Sequence, residues 1–320
     1  MAWPVHQLLE SNDIDNGTTM TLPTLAFLGI GLMGKPMATR LAQAGYPLRA
    51  WNRTPDKAEA LRAAGALPRH DLQDAVRGAD IVISILGDGR AVGEVIAAAL
   101  PALKQGALWI DMSSTRQDEA LAFHAQLAQA GCRFVDAPVS GGVVGAEAGK
   151  LAIMAGGEAA DVEDARPVLE KMGSPTLVGP AGSGQVAKLC NQLIVGATIN
   201  VVAEALLLAQ AAGADPAAVR EAIRGGFAGS RVLEVHGQRM LERNFVPGAH
   251  VRIQLKDQRN ILSTAREAGV TLPVTELVTR QYETIEADLP TADHAAALIA
   301  LERMNPGKRV GERDDILPAT

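Results

Sequence analysis

Over residues 24–178, continuous apolar runs alternate with segments whose apolar positions recur every three or four residues. The runs Thr24–Ile30, Pro47–Trp51, Asp80–Leu86, Ala107–Ile110, Arg133–Asp136, Leu151–Gly156 and Thr176–Val178 read as strands, the longer ones buried on both faces. Helical periodicity fills the gaps at Gly34 to about Ala44, from near Arg116, and at Glu158–Lys171. After Gly182 the alternation stops. A nearly unbroken helical pattern runs to about Ala212, followed by Pro216–Arg224, Ser230–Glu242, Val251–Ala268, Pro273–Ala287 and His294–Met304. This order predicts an α/β domain over residues 22–182 and an all-helical domain over 183–304, joined by the long helix. Residues 1–21 and 305–320 are polar and are expected to form a disordered extension and a loose tail.

Composition narrows the class. Of the 320 residues, 48% are hydrophobic but only 3% aromatic, so the core is built from small aliphatics, as suits an α/β chain rather than a β-sandwich. The net charge of −6, with no basic run, argues against a nucleic-acid partner. Leu189–Ala212 is the most apolar stretch, but Asn191, Gln192, Asn200, Glu204 and Gln210 interrupt it, which favours a buried interdomain helix over a membrane span. The start of the chain lacks the basic and apolar regions of a secretory signal. Cys132 and Cys190 form no disulfide framework, which fits a reducing, cytoplasmic setting. No cluster of histidines and cysteines suggests a metal site.

The first strand runs into Gly29-Ile30-Gly31-Leu32-Met33-Gly34 and then a helix. G-x-G-x-x-G in that context makes a tight turn whose backbone N–H groups and helix N-terminus face a pyrophosphate, the fingerprint of a Rossmann-type doubly wound parallel sheet. A glycine-rich turn without a ligand is the plainer alternative. The second strand ends in Asn52-Arg53-Thr54, where an NAD-specific site would carry an acid. An arginine among amide and hydroxyl neighbours suits a 2′-phosphate, so NADP(H) is expected to be preferred, with NAD(H) possible because Asp56 follows. Leu86 ends the next long strand, at the carboxyl edge where such sheets bind ligands. Ser113 and Ser114 end another, where their hydroxyls suit either the nicotinamide half of the cofactor or the cap of the next helix. Ser140-Gly141-Gly142 follows a proline turn and presents successive N–H groups, a nest for a carboxylate. At the start of the long helix, Lys188 and Asn191 share a face bordered by Val186, Leu189 and Leu193. Beside apolar surface a lysine either snorkels to solvent or has its pKa lowered towards neutrality, where it can exchange protons with a substrate.

With Phe27–Gly34, Asp136–Gly142, Gly182–Asn191 and Leu255-Lys256-Asp257 in this order, the chain resembles the β-hydroxyacid dehydrogenase family from about Leu25 to Met304. The resemblance implies that the first domain binds NAD(P) and that Lys188 is the catalytic lysine, with Asn191 as its partner. It implies that Ser140, Gly141 and Gly142 hold the substrate carboxylate, and that Lys256, with Asp257 beside it, lies near the nicotinamide. The expected activity interconverts a short 3-hydroxy acid and its semialdehyde. Val232–Met240, Phe245-Val246-Pro247-Gly248 and Asp293-His294 look most like the tartronate semialdehyde reductases of the family, which makes reduction of that aldehyde to glycerate the first expectation. 3-Hydroxyisobutyrate, threonate-like sugar acids, glyoxylate and succinic semialdehyde are the alternatives. Two departures flank the cofactor region: Gly87 stands where proline is common, and Gln258 where leucine is. Imine reduction is a rival, although relatives with that activity typically replace the lysine by Asp or Tyr. A non-catalytic NADP-binding module is a rival of another class. The large apolar helical domain suggests a homodimer or homotetramer.

Overall fold

A computed structural model describes residues 22–318. Six strands, β1 (Leu25–Leu28), β2 (Leu48–Trp51), β3 (Leu67–Arg69), β4 (Ile81–Ser84), β5 (Leu108–Asp111) and β6 (Arg133–Asp136), pair in parallel in the order β3-β2-β1-β4-β5-β6. This is the doubly wound order, with its switch point between β1 and β4. Three more strands, β7 (Val139–Ser140), β8 (Leu151–Gly156) and β9 (Gly173–Gly179), extend the β6 edge. There β8 runs antiparallel to β6 and β7, and parallel to β9.

The helices of this half are α1 (Gly34–Gln43), α2 (Pro55–Glu59), α3 (Leu72–Val76), α4 (Gly89–Ala99), α5 (Gln117–Gln129), α6 (Gly142–Ala148) and α7 (Ala159–Leu169). Successive strand residues point to opposite faces, so β1 feeds two cores at once. Leu25 and Phe27 join Met37, Leu41 and Ile110 on one side. Ala26 and Leu28 join Val92, Trp109 and Phe123 on the other. Every residue of β1, β4 and β5 is buried, as their unbroken apolar runs require.

Among the described residues of the second half the regular elements are helices: α8 (Ser183–Ala211), α9 (Pro216–Ile223), α10 (Arg231–Glu242), α11 (Val251–Glu267), α12 (Pro273–Glu286) and α13 (Ala297–Met304). Local chemistry sets their starts. Asp215 caps α9 by accepting from the Ala217 N–H, with Pro216 in the first turn, and Ser230 caps α10 through the Leu233 N–H. The central helix is α8, 29 residues long, which packs against α10, α11, α12 and α13 and against β8 in the sheet. Its length and hydropathy would suffice to cross a membrane, yet half of its most apolar window is buried within the protein.

Several elements are absent from the sequence expectation, among them α3 and α4, which fill the connections after β3 and β4. β3 carries Pro68, and β7 and α6 form within what reads as a glycine loop. The expected helix His294–Met304 opens as a 3-10 turn, His294–Ala296, before α13. The expected loose tail is docked over its described part. Ile316 exchanges backbone hydrogen bonds with Arg243 and Phe245, and Val310 is fully buried. The cause is Arg243, whose buried guanidinium takes a bidentate bond to Glu302 and a further one to Asp315 in that segment. The expectation for residues 1–21 lies outside the described residues.

Candidate active site

The turn after β1 is closed by backbone contact. Gly29 has φ +102°, and a Cβ there would lie 2.2 Å from the Ile85 carbonyl oxygen; one on Gly34 would lie 1.9 Å from the Gly29 carbonyl oxygen. A Cβ on Gly31 would meet nothing within 4 Å, so the outer face of the turn is open to a bulky group. Leu32 is exposed and Met33 packs on the sheet core. Met33 offers no side-chain cap to α1; in the first turn the Lys35 N–H donates to the Gly31 carbonyl at 3.0 Å and Pro36 has no N–H, so the Gly34 N–H is left for an anion, and with the open face at Gly31 the residues fit a dinucleotide pyrophosphate. Asn52 is locked in place: it accepts from the Ile30 N–H at 2.9 Å and donates to the Thr54 carbonyl at 2.9 Å. Arg53 and Thr54 beside it are exposed.

Ser113 ties the ends of β4 and β5 together. Its Oγ accepts from the Leu86 N–H at 2.8 Å and donates to Asp111 Oδ1 at 2.7 Å, where the Ser84 hydroxyl also donates. Neither Ser113 nor Ser114 caps α5: that role falls to Arg116, whose N–H bonds the Glu119 carboxylate. The Ser114 carbonyl instead accepts from Lys256 Nζ at 2.9 Å, so α11 is bound directly to the cofactor edge of the sheet.

The start of α8 is seated on the same edge. Gly182, its N-cap, has no side chain to offer, and Asp136 at the end of β6 substitutes. Its two oxygens accept the N–H groups of Gly182 at 2.7 Å and Gln185 at 2.8 Å. The Gln185 amide then spans to the β5–α5 connection, accepting from the Thr115 N–H and donating to the Ser113 carbonyl, each at 2.9 Å. A Cβ on Gly184 would lie 2.4 Å from the Met154 carbonyl oxygen, so α8 rests on the sheet backbone itself.

One turn further along, Lys188 is 8% exposed and its Nζ donates to Gln192 Oε1 at 2.9 Å. The same oxygen accepts from Asn191 Nδ2 at 2.9 Å, so Asn191 reaches the lysine only through Gln192. Gln192 Nε2 donates to Asp257 Oδ2 at 2.8 Å. Burial lowers the Lys188 pKa; Asp257 opposes the shift and the like charge of Lys256 adds to it. Lys256 Nζ is 3.2 Å from Asp257 Oδ1 but lacks hydrogen-bond geometry, which leaves that oxygen without a hydrogen-bond partner. Gln254 and Gln258 both donate to the Gln192 carbonyl, at 3.4 and 3.3 Å. Gln258, the departure from leucine beside Lys256-Asp257, therefore touches the residue that holds the lysine.

Ser140 ends β7, and Gly141 and Gly142 lead into α6 with φ of +136° and +63°. β7 and β8 both pack on α8, which brings the Ser140–Gly142 segment beside the helix that bears Lys188. The surroundings therefore combine a lysine with lowered pKa, a glycine turn suited to an anion, and a dinucleotide fingerprint.

Residues 24–190 match the family model described as the NAD binding domain of 6-phosphogluconate dehydrogenase. Residues 182–301 match the one described as NAD-binding of NADP-dependent 3-hydroxyisobutyrate dehydrogenase. The chain belongs to the β-hydroxyacid dehydrogenase family. Like other β-hydroxyacid dehydrogenases, it is an NAD(P)-dependent oxidoreductase acting on small 3-hydroxy acids. It is 40% identical to 2-hydroxy-3-oxopropionate reductase of Escherichia coli, over 88% of this chain and 97% of that protein. It is 34% identical to the NAD-dependent L-serine dehydrogenase of Pseudomonas aeruginosa, over 81% and 90%. Among solved structures, Mycobacterium tuberculosis 3-hydroxyisobutyrate dehydrogenase with L-serine superposes with a TM-score of 0.82 at 31% identity, covering 88% of this chain and 99% of that one.

Sequence reasoning singled out neither Gln192, Gln185 nor Asp136 for the site of this β-hydroxyacid dehydrogenase. Gln192 carried a usable signal, since it lies four residues after Lys188 on one helix and so shares its face. Asp136 and Gln185 lie inside the Asp136–Gly142 and Gly182–Asn191 motifs, but nothing local pointed to their roles, because their partners are 46 and 70 residues away in sequence.

Proposed function

We propose that this β-hydroxyacid dehydrogenase reduces tartronate semialdehyde to glycerate with NADPH, Lys188 being the proton donor. The observation that carries the reading is the Lys188 ammonium, buried and held by Gln192, on a helix packed beside the Ser140–Gly142 segment. The substrate choice is supported by the 40% identity to a 2-hydroxy-3-oxopropionate reductase. Gly29, Gly31, Leu32, Met33 and Gly34 would hold the pyrophosphate, and Asn52, Arg53 and Thr54 the ribose 2′-phosphate. Leu86, Ser113, Ser114, Lys256 and Asp257 would line the nicotinamide end.

A bound nicotinamide dinucleotide supplies or accepts the hydride. Ser140, Gly141 and Gly142 hold the substrate carboxylate, and Lys256 contributes positive charge to the same pocket. This fixes the aldehyde carbon, and such positioning can account for a large share of the rate. The Lys188 ammonium gives its proton to the oxygen of the reduced carbonyl; in the oxidative direction the neutral amine takes it back. Asn191 holds the hydroxyl. Burial lowers the Lys188 pKa, which makes the ammonium a readier proton donor and the neutral amine easier to reach in the oxidative direction.

On the same reading the protein is a cytoplasmic homodimer or homotetramer. Ile194, Val201 and Leu208, spaced at sevens along α8, are all exposed and form an apolar seam that suits a second copy.

The test follows NADPH and NADH absorbance with purified protein against tartronate semialdehyde, methylmalonate semialdehyde, succinic semialdehyde and glyoxylate, with 3-hydroxyisobutyrate and L-serine in reverse. Tartronate semialdehyde with NADPH gives the highest kcat/KM. Lys188→Ala lowers kcat by about 10²–10⁴-fold, the usual weight of a general acid, and leaves NADPH affinity within a few-fold. A different best substrate reassigns the specificity. No turnover of any compound, with NADPH bound, moves the chain to the binding-module class.

A further inference from the structure

We propose that Asp136 is a positioning residue that registers Lys188 against the Ser140–Gly142 segment, and that it acts as a carboxylate. The inference rests on the assignment of Lys188 as proton donor. Asp136 ends β6, and the chain leaves it directly for Ala137, Pro138 and β7, so its backbone sets where Ser140 begins. Its side chain takes the opposite direction. Both carboxylate oxygens are committed to α8, one to the Gly182 N–H and one to the Gln185 N–H. One residue therefore fixes the base of the substrate loop with its main chain and the start of the catalytic helix with its side chain. Lys188 lies one turn beyond Gln185, too close for an error at the seat to be absorbed before it reaches the ammonium.

The seat tolerates little substitution. A Cβ on Gly184 would lie 2.5 Å from the Asp136 carbonyl oxygen, and one on Gly156 would lie 2.7 Å from Asp136 Oδ1. The carboxylate form is the one that fits. Two N–H donors need two acceptor oxygens, and a protonated acid or an amide would point a donor at one of them. The α8 N-terminus, with its own cap lacking a side chain, also favours a negative charge there.

Asp111 on β5 sits in register with Asp136 and is itself held by Ser84 and Ser113, with Glu119 of α5 acting on it. α8 presents the N–H groups of Gly182 and Gln185, and β8 presents Gly156. Asp161 and Asp164 of α7 are engaged by Arg133 at the far end of β6. Burial pushes the Asp136 carboxyl up to about 7; the two N–H bonds oppose the shift and Asp111 adds to it. The ionised form is then lost as pH falls through the neutral range, whereas Lys188 loses its proton as pH rises.

The experiment is the pH profile of kcat for semialdehyde reduction in the wild type, Asp136→Asn and Lys188→Ala, with NADPH affinity and thermal melting as controls. The wild type has an acid limb near neutrality and a separate basic limb. Asp136→Asn binds NADPH as the wild type does, loses about 10²-fold in kcat, as for a misplaced catalytic group, and has no acid limb. Gly184→Ala, which displaces the helix but keeps the carboxylate, loses kcat and retains the acid limb. An Asp136→Asn enzyme with wild-type kcat, or with the acid limb unchanged, overturns the proposal. If that variant does not fold, a wild-type kcat that is flat from about pH 5.5 to 8 overturns it equally. Lys188→Ala separates the two ideas: its full activity removes the proton-donor assignment, whereas an inactive Lys188→Ala beside an unaffected Asp136→Asn removes only the role of Asp136.

Discussion

Lys188 and Gln192 are joined across one turn of α8 by a 2.9 Å hydrogen bond from ammonium to amide oxygen. The other end of that amide donates to Asp257 on α11. The lysine is therefore oriented by a neutral group and meets its nearest counter-charge only indirectly. A direct ion pair would hold the proton too firmly; the bridging amide fixes geometry while burial still lowers the pKa.

Replacing Gln192 by methionine keeps the volume and removes the acceptor. The buried ammonium loses a bond worth about 1.5–3 kcal/mol, so kcat falls by about 10- to 100-fold and the basic limb of the pH profile moves to lower pH. Kinetics across pH 6–10 decide the matter, and an unmoved basic limb would show that Gln192 does not act on the lysine.

Arg53 is exposed beside the locked Asn52, and on the proposed reading it meets a 2′-phosphate. Arg53→Asp presents a carboxylate to a free ribose 2′-hydroxyl instead. Its ratio of kcat/KM for NADPH over NADH drops by about tenfold or more. A ratio that stays at the wild-type value rejects the 2′-phosphate reading.

His294 is buried, with its ring nitrogen 3.0 Å from the His250 carbonyl. Burial lowers its pKa to about 4, helped by His236 and opposed by Asp293 and Asp257. An unfolded chain takes up this proton near pH 6.5, so between about 6.5 and 4 the unfolded state binds more protons than the native one. Acidification from pH 7 to 5 therefore removes roughly 2 kcal/mol of stability through this group. Asp111 and Asp136, with raised pKa values, act in the opposite sense over the same window, so the comparison must be between proteins. Urea titrations at the two pH values should show a smaller acid loss in His294→Gln than in the wild type; equal losses would exclude His294 as the cause.

The docked C-terminal segment depends on Arg243, which is 1% exposed and bound to Glu302 and Asp315. Arg243→Met leaves Glu302 without its partner and costs about 3 kcal/mol. Truncation after Asn305 destabilises in the same direction. A truncated protein that melts with the full-length chain would show that the docking contributes nothing.

Much of the fold is legible because it is encoded locally. The apolar runs that became β1, β4 and β5 leave no polar face, so they had to lie inside a parallel sheet. β3 was hidden because three residues with a central proline give no periodicity to read. The docked tail was hidden because its anchor is one buried arginine from α10's end, and composition reports only that the tail is polar.

Sequence alone determined the βα alternation, the glycine turn after β1 and the shared face of Lys188 and Asn191, because each is a property of neighbouring residues. Tertiary structure alone decided which partners complete the site. Lys256 bonds the Ser114 carbonyl from 142 residues away, Gln192 meets Asp257 across 65, and Asp136 caps α8 across 46 to 49. Such pairs leave no periodic trace in the chain. They follow from where the sheet edge and two helices converge, and from the need of each buried donor there for an acceptor.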